Sequence, residues 1–390
     1  MIVRKLDQAE HGKTRKLWEE VFSEDTAEFL DYYYFVKARE NQIYVVEEEE
    51  KIRSMIHLNP YEIRIGDKLF PSFYIIAVAT QKEYRGRGYM GTLLRRCMQE
   101  MYSRKVPFTF LMPAAEAIYS PYDFRYIYNQ SVGGMKKSGT AGSADDVMRN
   151  SMRQNSETEC RDAMLWDAEQ MADFFKENFE GKWQVYAERS GEYYRTVILE
   201  QQSERGGVRL LKADGSITGM FAYAREAALE VREPLYLPEY EAEVIRQIRR
   251  LQMEPEEPVR IYASLPSLCD GTDFRPVIMA RIICLNRFLT AFTVPEETEM
   301  ECSFAVIDPI VTQNSRIWKL HSSSGEREIH VRETEDSEGV LPVAELTELL
   351  FGRTPIEEIK KRPGVILTEH LEAELEKIVK LEYVFLNEIV

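Results

Sequence analysis

The stretch Arg85-Gly86-Arg87-Gly88-Tyr89-Met90-Gly91 holds the residue types and spacing best suited to chemistry. Glycines at 86 and 88 permit a tight turn, and small residues let backbone N–H groups face an anion such as a pyrophosphate. A helix follows, with Leu93, Leu94, Cys97 and Met101 at helical spacing in Met90–Tyr102. Its N-terminus adds partial positive charge, and Arg85 and Arg87 add side-chain charge. Gly86, Gly88 and Gly91 also fit G-x-G-x-x-G, a dinucleotide fingerprint. Three features argue against that reading. The preceding strand ends near Thr80, the next strand (Val106–Met112) has no acidic residue for a ribose, and antiparallel hairpins come before. Gly12-Lys13-Thr14 has the end of a phosphate-binding loop, yet Asp7 stands where its first glycine belongs.

The elements that must position this turn read as α+β. Ile2–Leu6 is a short strand, and Ala9–Phe22 and Thr26–Arg39 are helices, the second with Asp25 at its N-cap. Ile43–Val46 and Lys51–Leu58 form a hairpin around Glu47–Glu50. Tyr61–Ile65 and Leu69–Thr80 are strands joined at Gly66-Asp67. Val106–Met112 is an apolar strand, Ala114–Tyr119 a short helix and Phe124–Val132 a strand. Residues 136–160 are rich in Ser, Gly, Asn and Asp and read as a linker. From 161 to 276, helices, a hairpin, a helix and a strand repeat the order of residues 1–135 in degraded form, without a second glycine loop. Residues 277–390 make a third unit. Its apolar ending, Tyr383-Val-Phe-Leu-Asn-Glu-Ile-Val390, is expected to be docked rather than frayed.

With Val78-Ala79-Thr80 before it, Arg85-Gly-Arg-Gly resembles the acyl-CoA loop of the GCN5-related N-acetyltransferases (GNAT), Arg/Gln-x-x-Gly-x-Gly/Ala. Met90 departs from the final Gly/Ala. The resemblance implies acetyl-CoA as co-substrate, with its phosphates at Arg85, Gly86, Arg87, Gly88, Tyr89 and Gly91. Its pantetheine arm would run along Val78, Ala79 and Thr80. Ile118-Tyr119-Ser-Pro-Tyr122-Asp-Phe124 is similar to the family's Tyr-x-x-aromatic-Gly-aromatic segment, with Asp123 in place of Gly. This implies Tyr119 as the general acid that protonates the leaving thiolate. A phenol, with an ordinary pKa near ~10, is protonated at neutral pH. Tyr122 and Tyr126 are close enough in sequence to be mistaken for it. The N–H of Val78 is expected to meet the tetrahedral oxyanion.

The whole-chain order resembles the Eis type (enhanced intracellular survival) of that family. Met279-Ala-Arg-Ile-Ile-Cys-Leu285, Val306-Ile-Asp308 with Asn314, and Leu346-Thr-Glu-Leu-Leu-Phe-Gly352 are similar to its sterol-carrier-like domain. Phe385-Leu-Asn-Glu-Ile-Val390 is similar to its ending. The implied architecture is tandem GNAT domains, each a mixed, mostly antiparallel sheet with flanking helices, followed by a sterol-carrier-like α/β domain. The active copy is 1–135 and the degenerate copy 161–276. The resemblance also implies that the α-carboxylate of Val390 enters the N-terminal site as base, with Glu116 and Asp123 as alternatives, and that chains assemble as hexamers. The acceptor implied is a small cationic amine, aminoglycoside- or polyamine-like, or a lysine side chain. A lipid- or sterol-binding protein with a vestigial transferase domain is the alternative reading. Acyl groups longer than acetyl stay open.

Composition narrows the classes. The 390 residues are 44% hydrophobic and 30% charged, as in a folded globular chain, and the net charge is -16. That charge disfavours nucleic-acid or membrane partners and suits cationic ligands. The five cysteines lack CxxC spacing, as expected in a reducing compartment. No apolar h-region follows Met1 and no run reaches the ~20 residues of a membrane span. A cytoplasmic location is expected. His11, His57, His321, His330 and His370 are scattered without HExxH, and no metal is expected. No G-x-S-x-G elbow is present.

Overall fold

A computed structural model describes residues 1–135, 158–225, 228–253, 257–263 and 269–388. The α+β reading holds throughout them. β1 (Ile2–Lys5) lies antiparallel to β2 (Gln42–Glu48) at one edge of a large sheet. Between them, α1 (Arg15–Val21) and α2 (Ala27–Phe35) bury Leu17, Trp18, Leu30 and Tyr33 in one core with Ile43 and Val45. The N-cap of α2 is Thr26, whose hydroxyl accepts the Phe29 N–H at 3.1 Å. Asp25, expected there, instead accepts the Trp18 indole N–H at 2.6 Å.

β3 (Lys51–Ile65) and β4 (Lys68–Thr80) form a long hairpin that turns at Gly66, φ +59°. β3 runs unbroken through Pro60, where the sequence suggests two strands. Proline brings no N–H to a ladder, and Pro60 falls in a gap. Pairing with β2 stops at Leu58, and the next strand on β3 begins at Ile63. β4 carries one residue too many. Ile76 pairs with His57 and Ala79 with Met55, so Ala77 and Val78 together face Ile56. This bulge puts Ala77 in the left-handed region at φ +50°. α3 (Tyr89–Ser103) then crosses over, and β5 (Phe108–Leu111) returns parallel to β4, in register with it only at Tyr74 and Phe110. Beyond that pair the strands part. The wedge opens at their C-terminal ends, where the turn to α3 begins. α4 (Glu116–Tyr119) and β6 (Arg125–Met135) complete this unit.

β7 (Glu159–Asp162) overlaps the last residues of the expected linker. Then come α5 (Ala168–Phe179), β8 (Val185–Ala187), α6 (Gly191–Ser203) and the hairpin of β9 (Gly207–Ala213) and β10 (Ser216–Arg225). β11 (Leu229–Tyr236), α7 (Glu241–Leu251) and β12 (Val259–Tyr262) follow. β11 and β12 are parallel across α7, as β4 and β5 are across α3. The approach to α7 is Leu237-Pro238-Glu239-Tyr240, so it has no glycine turn.

β13 (Cys269–Ile282) inserts between β5 and β6 and pairs antiparallel with both. The boundary expected between 276 and 277 falls inside this strand, which completes the first unit's sheet. Through β6 and β12 the sheet continues into the second unit. After α8 (Leu285–Leu289), a separate five-stranded sheet forms from β14 (Met300–Ile307), β15 (Ile317–Ser322), β16 (His330–Glu333), β17 (Gly339–Pro342) and β18 (Ile366–Leu367). α9 (Val343–Leu350), α10 (Ile356–Ile359) and α11 (Glu369–Glu376) accompany it. Phe288, Phe292, Phe304, Trp318 and Phe351 are buried in its interior, Phe288 stacking on Phe351 at 5.6 Å. Finally β19 (Val384–Phe385) pairs with β8, and β8 with β3. Phe385 stacks on Trp183 at 4.2 Å. Residues 383–388 are docked against the first two units, with Asn387 accepting from Gln130 Nε2 and Glu388 from Arg189. Among the described residues no helix is long and apolar enough to cross a membrane.

Candidate active site

The turn before α3 is built on two left-handed glycines, Gly86 at φ +75° and Gly88 at φ +80°. An L side chain would lose about 1–2 kcal/mol in that conformation. Both are exposed, with open space where a Cβ would stand. Gly88 is the N-cap of α3, so the unpaired N–H groups of the first helical turn lie at this opening. Arg85 and Arg87 are exposed beside it. Arg85 Nε donates to the Thr80 carbonyl at 3.2 Å, and Arg87 lies 4.6 Å over the Tyr84 ring. Tyr89 has its ring buried and its hydroxyl donating to Glu48, which anchors the start of the helix. At Gly91 a Cβ would stand 2.3 Å from the Tyr122 hydroxyl. The small residue this packing needs is therefore at 91, while Met90 packs against the apolar core.

Val78, half-exposed, is the second residue of the bulge. The extra residue disrupts the ladder and leaves backbone groups available at the wedge. Ala79 is buried, and Thr80 Oγ1 lies 2.8 Å from Ser54 Oγ. Tyr119 shares a core with Ile75 and Leu111, with Val78 packed against that core. Its ring meets Phe124 edge-on at 5.9 Å. Burial pushes the Tyr119 pKa up to about 12, so the phenol stays protonated throughout the neutral range. Tyr122 is committed to α3 beneath Arg95, which lies 5.5 Å over its ring. Tyr126 is half-buried and Glu116 exposed. Asp123 faces Arg281 at 3.6 Å and sits at φ +64°. That left-handed conformation suits glycine, and aspartate tolerates it better than most residues.

A second opening lies among residues 37–40 after α2, β3, α6, β11 and residues 387–388, a cavity of about 310 Å³. Its lining holds seven glutamates, Glu40, Glu62, Glu188, Glu192, Glu200, Glu233 and Glu388, against Lys37 and Arg232. That excess of carboxylates suits a cation. Lys37 Nζ donates to the Tyr61 hydroxyl at 2.9 Å, and burial lowers the Lys37 pKa against the pull of Glu200. Arg189, with no side-chain exposure, donates to Glu388 Oε1 at 2.5 Å and to Glu233 at 3.1 and 3.2 Å. The Tyr193 hydroxyl also donates to Glu388 Oε1, at 3.3 Å. The other Glu388 oxygen, Oε2, is buried without a hydrogen-bond partner among the described residues. Tyr74, where β4 and β5 pair, has its ring 5.4 Å from that of Phe110, which lies 6.0 Å from the ring of Tyr61 in the cavity lining. Ile389 and Val390 lie outside the described residues, so the placement expected for the Val390 carboxylate does too.

Sequence reading misses this cavity. Nothing in the sequence singles out Lys37, Glu200, Glu233 or Glu388, and only the packing of four distant segments brings them together. Glu200 accepts the Tyr32 hydroxyl at 3.1 Å, and burial lifts its pKa from 4.5 to about 7. A carboxyl that holds its proton more tightly when folded weakens the fold as it ionises. Stability from this group therefore falls as pH rises from about 4.5 to 7 and is level above. Tyr32, Lys37, Glu204 and Arg232 surround it. Glu200→Gln is expected to flatten that slope in urea midpoints measured between about pH 5 and 8.

Among the described residues no group of three or more His, Cys, Asp or Glu side chains is placed to hold a metal ion. Residues 2–127 match the acetyltransferase (GNAT) domain family, and residues 285–388 match the sterol carrier protein domain family. No curated protein matches the chain in sequence. Solved structures match it end to end. A conserved protein of Enterococcus faecalis V583, described as a "Probable N-Acyltransferase", is 16% identical with a TM-score of 0.81, covering 100% of this chain and 99% of that one. A GCN5-related N-acetyltransferase from Anabaena variabilis is 17% identical with a TM-score of 0.77, each chain covered at 100%. Eis1 from Mycobacterium abscessus is 12% identical with a TM-score of 0.71, again with 100% of each chain covered. With the glycine turn, the bulge and the parted strands in place, the chain carries an acetyltransferase (GNAT) domain at residues 2–127 and a sterol carrier protein domain at residues 285–388, within a whole-chain fold like that of Eis1.

Proposed function

We propose that the chain moves an acetyl group from acetyl-CoA directly to an amine of a cationic acceptor. The acceptor class is polyamine- or aminoglycoside-like, or a lysine side chain. One observation carries the reading: an exposed left-handed glycine turn opens the N-terminus of α3 beside parted strands, in a chain that also holds a cavity lined by seven glutamates. The phosphates of acetyl-CoA rest on the turn and the first N–H groups of α3. The pantetheine arm runs along the free edge of β4 at Val78–Thr80. The acceptor's ammonium groups are held by the cavity glutamates.

The amine nitrogen attacks the thioester carbon and a C–N bond forms. Negative charge on the carbonyl oxygen meets the backbone N–H at Val78. The C–S bond then breaks, and Tyr119 passes its proton to the departing sulfur. The proton that the amine loses goes to the Val390 carboxylate, or to a cavity glutamate, and returns to the phenol through solvent. A terminal carboxylate with ordinary pKa near ~3.5 is a weak base. Its larger contribution is to hold the ammonium before attack.

Thermal shift tests the cofactor half of this reading. Acetyl-CoA is expected to raise the melting temperature, by mass action on the folded state, and Gly88→Val to abolish that rise. Stabilisation by a fatty acid or sterol, with none by acetyl-CoA, would replace it with the lipid-binding reading.

A further inference from the structure

Two arginines converge on the turn that carries Tyr119, and both are held from the C-terminal side of the chain. Ser120–Tyr122 is a single 3₁₀ turn, followed by Asp123 in the left-handed region. Arg281, on β13 and without side-chain exposure, donates from Nε to the Tyr122 carbonyl at 2.9 Å. Its Nη2 donates to Asp308 Oδ1 at 2.6 Å. Asp308 is itself immobilised: Oδ1 accepts the Ile310 and Val311 N–H groups at 3.0 and 2.8 Å, and Oδ2 accepts Asn314 Nδ2 at 2.9 Å. Arg125, on β6, donates from Nη1 to the Ser120 and Phe124 carbonyls at 3.3 and 2.9 Å. Its Nε lies 3.2 Å from Glu348 of α9, which in turn accepts Arg362 at 2.7 Å.

Three carbonyls between residues 120 and 124 are thus gripped by two guanidinium groups. Their counter-charges, Asp308 and Glu348, both lie within the sterol carrier protein domain. A planar, multi-donor guanidinium fixes direction as well as distance, which a lysine ammonium does not. A fully buried ion pair such as Arg281–Asp308 is weak evidence for stabilisation, because desolvation offsets much of the attraction. What such a pair does supply is one defined geometry. Here that geometry is imposed on the backbone immediately after Tyr119.

We infer that Arg281 with Asp308, and Arg125 with Glu348, are positioning residues for the Tyr119 phenol. Through them the sterol carrier protein domain holds the general-acid turn in place at the wedge. The role rests on Tyr119 acting as the acid, as proposed above.

A double-mutant cycle in the full-length chain tests it, reading CoA-thiol release with spermidine as acceptor. Asp308→Asn keeps the side-chain shape and removes the charge. Glu348→Gln does the same for Arg125 at a site less critical to folding. Each is expected to lower kcat about tenfold when Tyr119 is present, since small misplacement of a reacting group is costly. KM for acetyl-CoA is expected to stay within about twofold of wild type. In a Tyr119→Phe background, each is expected to change kcat by less than about twofold. A general loss of structure would lower kcat by the same factor in both backgrounds, and that result would overturn the positioning role. Unchanged kcat in both single variants would overturn it as well. If Asp308→Asn does not fold, the Glu348→Gln cycle decides alone. If Tyr119→Phe by itself leaves kcat unchanged, the acid role falls, and the positioning role with it.

Discussion

Tyr119→Phe is expected to lower kcat for CoA release by about 10²–10⁴-fold, the usual contribution of a positioned general acid. The thiolate is the leaving group, and without a proton it departs at higher energy. Phenylalanine keeps the ring and its edge contact with Phe124, so the fold is expected to hold. KM for acetyl-CoA should therefore change little, because in the proposed binding mode its phosphates rest on the turn at Gly86–Gly88 and not on the phenol. Burial already pushes the phenol pKa up to about 12, so the group is protonated throughout the neutral range. The loss should accordingly be the same across neutral pH. Unchanged turnover would remove Tyr119 from the reaction and leave Tyr122 and Tyr126, whose side chains are less buried, to be tested in its place.

Arg189→Met is expected to destabilise the protein by about 3–5 kcal/mol, the range for removing one partner of a buried ion pair. Arg189 has no side-chain exposure, and it is the cation between Glu233 and Glu388. Without it, two carboxylates remain in a site that desolvates them. Glu388 would either take up a proton or pull the ending out of the cavity. A lower urea midpoint checks the first consequence, and faster proteolysis after Tyr383 checks the second. Adding Glu388→Gln should recover part of the loss, because the uncompensated charge is then gone. An unchanged midpoint in Arg189→Met would mean that the ending is held without the ion pair, by contacts such as β19 and the Phe385–Trp183 stack.

What is legible in the sequence follows from how directly a residue type encodes backbone. Gly86 and Gly88 announce a left-handed turn, and both have positive φ. Ala77 adopts the same region with nothing in its side chain to mark it, and only the register against β3 exposes the bulge. Pro60 suggests a break that tertiary pairing makes unnecessary. Cys269–Ile282 reads as a strand in its second half, yet no local pattern says that it joins β5 to β6. Partner choice in a sheet is a property of the whole fold. The acidic cavity is illegible for the same reason: its walls come from residues 37–40, β3, α6, β11 and residues 387–388, far apart in the chain. Asp123 was visible as a departure from a glycine motif, but its value as the end of a turn gripped by Arg281 was not.

The most direct measurement is CoA-thiol release from acetyl-CoA as the acceptor is varied in charge. Spermidine, an aminoglycoside and a lysine-containing peptide serve as cations, with a neutral hydroxamate and a neutral amide for comparison. Release is expected only with the cationic amines, with the acetyl group recovered on their nitrogen, and the rate should weaken as salt screens the cavity glutamates. Release that is indifferent to acceptor charge and to salt, or none with any amine, would contradict an acidic acceptor site served by acetyl-CoA.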